Sequence, residues 1–251
     1  MLREETVFGP IKSRRLGVSL GINVMPAEGK FCNFDCIYCE CGWNRDGLED
    51  QTLPSRQQVR EALGLKLGEM AAAGDHMDSI TFSGDGEPTL HPEFPGIVDD
   101  VLELRDRYFP SAAVTVLSNA TRLLRPGVFE ALRKVDNPVL KLDAPTNELC
   151  ARINKPAPGY DVASVVGALK RFGGDFILQT MFLRSADFDS SSEEVLGGWM
   201  SIVRELRPRM IMVYTVDRPS PQEGLEKFSE QQMLSLVRPL IDEGLDVRVY
   251  G

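Results

Sequence analysis

Apolar and polar positions along this chain follow two alternating rhythms. Short apolar runs bounded by Gly, Pro, Asn or Asp recur. Between them lie segments whose apolar residues repeat every three or four positions. The first rhythm predicts buried strands and the second amphipathic helices. Gly17–Asn23 reads as the first strand, and Ser55 caps a helix that runs to about Ala73. Strand Ser79–Ser83 precedes helix Pro92–Arg107, whose inner face carries Phe94, Ile97, Val98, Val101 and Leu102. Strand Ala113–Leu117, a short helix near Gly127–Lys134 and strand Val139–Leu142 follow. Ala144–Gly159 contains three prolines and reads as a long loop. Beyond it come helix Tyr160–Phe172, strand Phe176–Leu183 and helix Ser192–Leu206. Strand Met210–Val216, loop Asp217–Lys227, a helix capped by Ser229 and a short strand Val247–Tyr250 complete the pattern. Strands alternating with helices predict a parallel sheet with crossover helices. Six units are too few to close an eight-stranded barrel. The expected fold is therefore α/β, a six-unit (β/α)6 partial, open barrel with outer helices. In such folds ligands meet the carboxyl ends of the strands.

Just past the first strand stands Lys30-Phe31-Cys32-Asn33-Phe34-Asp35-Cys36-Ile37-Tyr38-Cys39, with three thiols at spacing C-x3-C-x2-C. So short a segment cannot be a regular helix that points all three sulfurs at one centre; it must loop around that centre. Soft thiolates gathered this way favour iron–sulfur clusters, zinc or copper(I). A structural zinc would want four ligands, and Cys41 is close enough in sequence to be the fourth. Three thiolates on a [4Fe–4S] cube leave one iron open to a small molecule, which is a catalytic arrangement. Phe34 and Tyr38 are placed to shield whatever the thiols hold.

C-x3-C-x2-C with Tyr38 immediately before Cys39 resembles the motif of the radical S-adenosylmethionine (SAM) superfamily. The resemblance implies that Cys32, Cys36 and Cys39 hold a [4Fe–4S] cluster. It implies that the open iron binds SAM, and that an electron from an external donor of the flavodoxin or ferredoxin type releases a 5′-deoxyadenosyl radical. After the second strand comes Ser83-Gly84-Asp85-Gly86-Glu87-Pro88. Gly84 and Gly86 permit close backbone approach, and Glu87 offers acceptors to an ammonium group. Asp85-Gly86-Glu87-Pro88 resembles the superfamily's Gly-Gly-Glu-Pro motif, with Asp85 in place of the first glycine. In relatives, polar residues at the position of Ser118 and Asn119 contact SAM. Lys141 and Asp143 end the fourth strand on one face, Asp143 towards ribose hydroxyls and Lys141 towards the carboxylate, or the two form an ordinary salt bridge. Gln179 and Thr180 interrupt an apolar strand; Gln179 is the better candidate to point inward, and a satisfied core amide is the equal alternative. Val213-Tyr214-Thr215 stands where relatives bracket adenine. His91 reads as a turn residue, and Cys150 as an inert thiol.

Ser13-Arg14-Arg15-Leu16-Gly17, Gly84-to-Pro92, Lys141-to-Pro145 and Asp217-Arg218-Pro219 together resemble a group related to the radical SAM enzymes of wyosine-type tRNA modification. That likeness implies a tRNA base as substrate. The compact size also resembles activases that install a glycyl radical on a partner protein, so small molecule, peptide and RNA all stand as substrate classes. The non-enzymatic alternative is a zinc-stabilised binding domain.

The 251 residues, 43% of them hydrophobic, suffice for one large domain spanning 1–251, with the cluster loop at 29–42. The formal charge of −9 weighs against a wide nucleic-acid footprint, and Lys12, Arg14 and Arg15 read as solvated surface. Five cysteines, three of them clustered, suggest a metal site in a reducing cytoplasm rather than disulfides. No apolar run is long enough for a membrane span, and the charged start Met1-Leu-Arg-Glu-Glu predicts no secretory leader.

Overall fold

The computed structural model describes residues 5–47 and 52–251. The reading of Met1–Glu4, and of the part of the Cys41–Pro54 loop at 48–51, lies outside them. The chain forms two compact units. The first comprises Met1–Cys32, Asn44–Ser118 and Leu124–Pro138; the second comprises Asn33–Trp43, Asn119–Leu123 and Val139–Gly251.

The first unit holds strands β1 (Val7–Ser13), β2 (Gly17–Ile22), β3 (Ser79–Phe82) and β4 (Ala113–Ser118) and helices α1 (Arg56–Ala73), α2 (Phe94–Tyr108) and α3 (Val128–Leu132). Strands β2, β3 and β4 pair in parallel, Leu20 beside Ile80 beside Val114. Strand β1 is a departure from the all-parallel expectation. It pairs antiparallel with β2. Periodicity missed it because its residues are largely exposed, so no apolar alternation marks it, and its proline suits only an edge strand. Helix α1 starts as expected at Ser55, whose side chain and that of Gln58 form a capping box. In α2 the buried face is Phe94, Ile97, Val98, Asp100, Val101 and Leu104. Leu102 is only half-buried; Leu104 takes the inward position. Asp100 is accepted there because Arg56 and Arg60 of α1 reach it at 2.6 and 2.8 Å.

Strand β5 (Asn137–Lys141) runs from the first unit into the second. The second unit continues with α4 (Asn147–Ile153), α5 (Val162–Lys170), β6 (Ile177–Met181), β7 (Leu183–Arg184), α6 (Glu193–Leu206), β8 (Met210–Tyr214), β9 (Glu226–Lys227), α7 (Glu230–Asp242) and β10 (Val247–Tyr250). Strands β5, β6, β8 and β10 pair in parallel. The first unit has its strands in the order β1-β2-β3-β4 and the second in the order β5-β6-β8-β10, so within each unit successive β/α units lie side by side as the periodicity predicts. The small pair β7-β9 sits apart from these strands. One face of β6 meets α6: Thr180 Oγ1 accepts from the Trp199 indole at 3.0 Å and donates to the Leu142 carbonyl at 2.9 Å.

Helix α4 corrects the expectation of one long loop over Ala144–Gly159. The hydroxyl of Thr146 caps it by accepting from the Leu149 amide. Seven residues between prolines are too few to show a helical period, but this cap and Glu148 in the first turn were local signals for it. Among the described residues no helix is long and apolar enough to cross a membrane.

Candidate active site

In the first unit, two motifs far apart in sequence meet. The Phe31 amide donates to the Asp85 carbonyl at 2.8 Å, and the Glu87 amide donates to the Phe31 carbonyl at 3.0 Å. Phe31, immediately before Cys32, thus forms a parallel bridge with Gly86. Gly86 has φ 152, and a Cβ there would collide with the Phe31 carbonyl. A Cβ on Gly84 would likewise meet the Asn23 side chain. Both glycines are required by close approach of protein to protein. Asp85 is fully buried and works inside the fold: its Oδ2 accepts from Asn23 Nδ2 at 3.2 Å, and its amide donates to Asn23 Oδ1 at 3.2 Å. The Asn44 side chain donates to the Cys32 carbonyl at 3.0 Å.

Glu87 is buried with only 2% of its surface exposed. Its Oε1 accepts from the Thr89 amide at 3.1 Å, the Thr89 hydroxyl at 2.5 Å and the Ser118 hydroxyl at 2.8 Å. Three donors on one oxygen fix the carboxylate's orientation. His91 behaves as the turn residue expected: Nδ1 accepts from the Glu93 amide, so Nε2 carries the hydrogen given to the Pro54 carbonyl at 2.9 Å.

In the second unit the cysteine loop is laced to the end of α4. The Asp35 amide donates to the Asn154 carbonyl at 2.8 Å and the Ile37 amide to the Ile153 carbonyl at 3.0 Å. The Ala157 amide returns a bond to the Asn33 carbonyl at 2.8 Å. The missed helix is therefore what holds Cys36. Asn119 lies in this unit. Its amide nitrogen donates to Asn33 Oδ1 at 2.8 Å, and its own Oδ1 accepts from the Thr121 hydroxyl at 2.7 Å.

Tyr38, Lys141, Asp143 and Asn154 form one buried cluster beside Cys36. The Tyr38 hydroxyl donates to Asp143 Oδ2 and accepts from Lys141 Nζ at 2.8 Å. Lys141 Nζ also lies 4.8 Å from the centre of the Tyr38 ring. Asp143 Oδ1 accepts from the Met181 amide at 2.9 Å, and Oδ2 also from Asn154 Nδ2 at 2.7 Å. Both oxygens of Asp143 are thus engaged within the protein. Burial and the nearby Asp143 push the Tyr38 phenol well above its ordinary pKa, so it stays protonated. Burial opposes the charge on Lys141, but Tyr214, Asp143, Cys36 and Cys39 outweigh it and keep the ammonium charged. Burial pushes the Cys36 thiol up, against the pull of that ammonium.

Gln179 stands beside Lys141 in the β5-β6 register. Thr180 faces α6, so alternation turns Gln179 to the opposite face. Gln179 is only 6% exposed, and its side-chain amide makes no hydrogen bond to any described residue. Thr215, by contrast, is spent on the fold, donating to the Phe182 carbonyl at 2.9 Å and accepting from the Phe228 amide.

The sequence matches the profile of the radical SAM superfamily over residues 29–187, well over half of the chain and spanning the cysteine loop, the Gly86-Glu87 turn and the Tyr38 cluster. The chain belongs to the radical SAM superfamily. This superfamily's cofactors are a [4Fe–4S] cluster and SAM, and its members are iron–sulfur enzymes. A UPF0026 protein of Synechocystis sp. is 30% identical over 226 residues, covering 88% of this chain and 79% of that protein. A Brachyspira hyodysenteriae protein named GTPase Obg is 28% identical over 236 residues, 92% of this chain. The chain spans 33% of that protein's length. Among solved structures, a radical SAM methyltransferase from Sphaerobacter thermophilus superposes with a TM-score of 0.70 at 15% identity, covering 92% of this chain and 65% of that one. Streptococcus suis SuiB bound to S-adenosylmethionine superposes at 0.63 with 17% identity, over 89% of this chain and 49% of that one. These likenesses show the fold, the partial barrel expected for a radical SAM protein.

Proposed function

We propose that this radical SAM protein holds a [4Fe–4S] cluster on Cys32, Cys36 and Cys39 and cleaves SAM reductively to act on a substrate by hydrogen abstraction. The observation that carries this reading is the docking of Gly86 and Glu87 onto Phe31, which fastens the SAM-type turn to the residue before the first cysteine. Three sulfurs fit a cube with one open iron.

When bound, the cluster and SAM supply a 5′-deoxyadenosyl radical that takes a hydrogen atom from the substrate. The chain's own residues bind and orient. Glu87, fixed by Thr89 and Ser118, is the acceptor for the SAM ammonium group. Lys141, held charged, supplies a cation for its carboxylate and pulls the Cys36 thiol towards its thiolate. Gln179 offers its open amide on the same face. Tyr38, anchored by Asp143, keeps an aromatic wall beside Cys39. Asp143 works through Tyr38 and Asn154 rather than as a free arm.

Anaerobic reconstitution with iron and sulfide, followed by SAM and a strong reductant, should yield 5′-deoxyadenosine and methionine. A brown protein with four irons per chain that forms neither product overturns the reading, as does one colourless zinc per chain after anaerobic purification.

A further inference from the structure

Asn154 belongs to no motif. It sits one position past α4 and is 1% exposed. Its amide nitrogen is 2.7 Å from Asp143 Oδ2, 3.3 Å from the Tyr38 hydroxyl and 3.3 Å from the sulfur of Cys36. Its Oδ1 accepts from the Cys150 thiol at 3.4 Å. Chemistry fixes which end is which. An ionised carboxylate only accepts, so the nitrogen must face Asp143 and the oxygen the thiol. One N–H goes to Asp143, and the other is left for the Cys36 sulfur and the Tyr38 hydroxyl. The backbone is pinned as well: Asn154 gives its amide hydrogen to the Cys150 carbonyl and accepts from the Asp35 amide, both at 2.8 Å. Asp35 is the neighbour of Cys36, so main chain and side chain clasp the same loop.

We propose that Asn154 donates an N–H···S hydrogen bond to the Cys36 thiolate and thereby sets the reduction potential of the cluster. The inference rests on the proposed function, in which Cys36 is a cluster ligand. Reduction adds one electron from the external donor and makes or breaks no bond. Part of the added charge falls on the sulfurs. A fixed N–H dipole aimed at one of them, away from water, stabilises the reduced form more than the oxidised form. Asn154 therefore raises the potential. It acts through Cys36 and is a positioning residue.

The test is a redox titration of the reconstituted full chain without SAM, followed by electron paramagnetic resonance. Asn154→Leu removes both donors at similar volume. A hydrogen bond to a charged group is of a strength that predicts a loss of about tenfold in the reduction equilibrium, roughly 59 mV lower for one electron. Asn154→Gln keeps an amide and restores part of the shift. A second measurement uses the unaltered protein. With asparagine labelled with 15N at Nδ2, pulsed resonance of the reduced cluster should show a nitrogen coupling that vanishes in the Asn154→Gln protein. An unmoved midpoint in a fully loaded Asn154→Leu protein, or no such coupling, overturns this inference alone. A chain that takes up no [4Fe–4S] cluster overturns the proposed function and this inference with it.

Discussion

Replacing Gly86 by alanine tests the joint between the two motifs of the first unit. The added methyl would collide with the Phe31 carbonyl, and Gly86 has φ 152, a backbone that side chains disfavour. Relief requires the Phe31 segment to move away. That breaks the bonds from the Phe31 amide to Asp85 and from the Glu87 amide to Phe31. Each is worth about 1 kcal/mol net. The positive φ of residue 86 adds about 1–3 kcal/mol of backbone strain for any side chain placed there. Together these give a loss of about 3–5 kcal/mol, near the upper end for one substitution and a large share of the ~5–15 kcal/mol of an ordinary domain. Gly167→Ala is the matched control. Gly167 lies exposed in the middle of α5 with open space where its Cβ would stand. There the same change should stabilise by about 0.5–1 kcal/mol. Urea unfolding of both variants reads the two signs, and iron content after reconstitution should fall only for Gly86→Ala, because Cys32 adjoins the displaced residue. A Gly86→Ala protein within about 1 kcal/mol of the parent and fully loaded with iron would refute the reasoning.

Hydrogen bonds from Arg56, with further help from Arg60, hold the Asp100 carboxyl below its usual range. A folded pKa below the unfolded one means stability that is full above about pH 4 and lost as pH falls through the folded value. Urea unfolding from pH 7 to pH 3 should show that loss, and Asp100→Asn should flatten it; identical acid profiles would remove Asp100 as a cause. Burial pushes the Cys150 thiol up to about 12. At pH 8 its thiolate fraction is about 10⁻⁴, so alkylation should run roughly a thousandfold slower than for an ordinary thiol. Peptide mapping after iodoacetamide, with and without urea, checks this, and native labelling at the unfolded rate would contradict it.

The extent to which the sequence could be read follows the range of the interactions. Periodicity located α1, α6 and β10 closely, since each has a complete apolar face or run and, for the helices, a serine cap. It missed β1, which is exposed, and α4, which is short and lies between prolines. Asn154 left no local sign, because its partner Cys36 lies 118 positions away. Asp85 illustrates the converse. It stands in a motif, yet one oxygen of its carboxylate accepts from Asn23, 62 positions earlier, a contact no local pattern contains.

By itself the sequence determined the chemistry of the thiols and the order of strands and helices. Ligand softness, close cysteine spacing and side-chain period are properties of neighbouring residues. Only the tertiary structure decided which side chains stay open to a ligand and which are consumed by the protein. Gln179 keeps an unspent amide, while Asp143, Asp85 and Thr215 spend theirs on distant backbone and side chains. Hydrogen-bond capacity is finite, and its allocation is settled by contacts that no stretch of neighbouring residues contains.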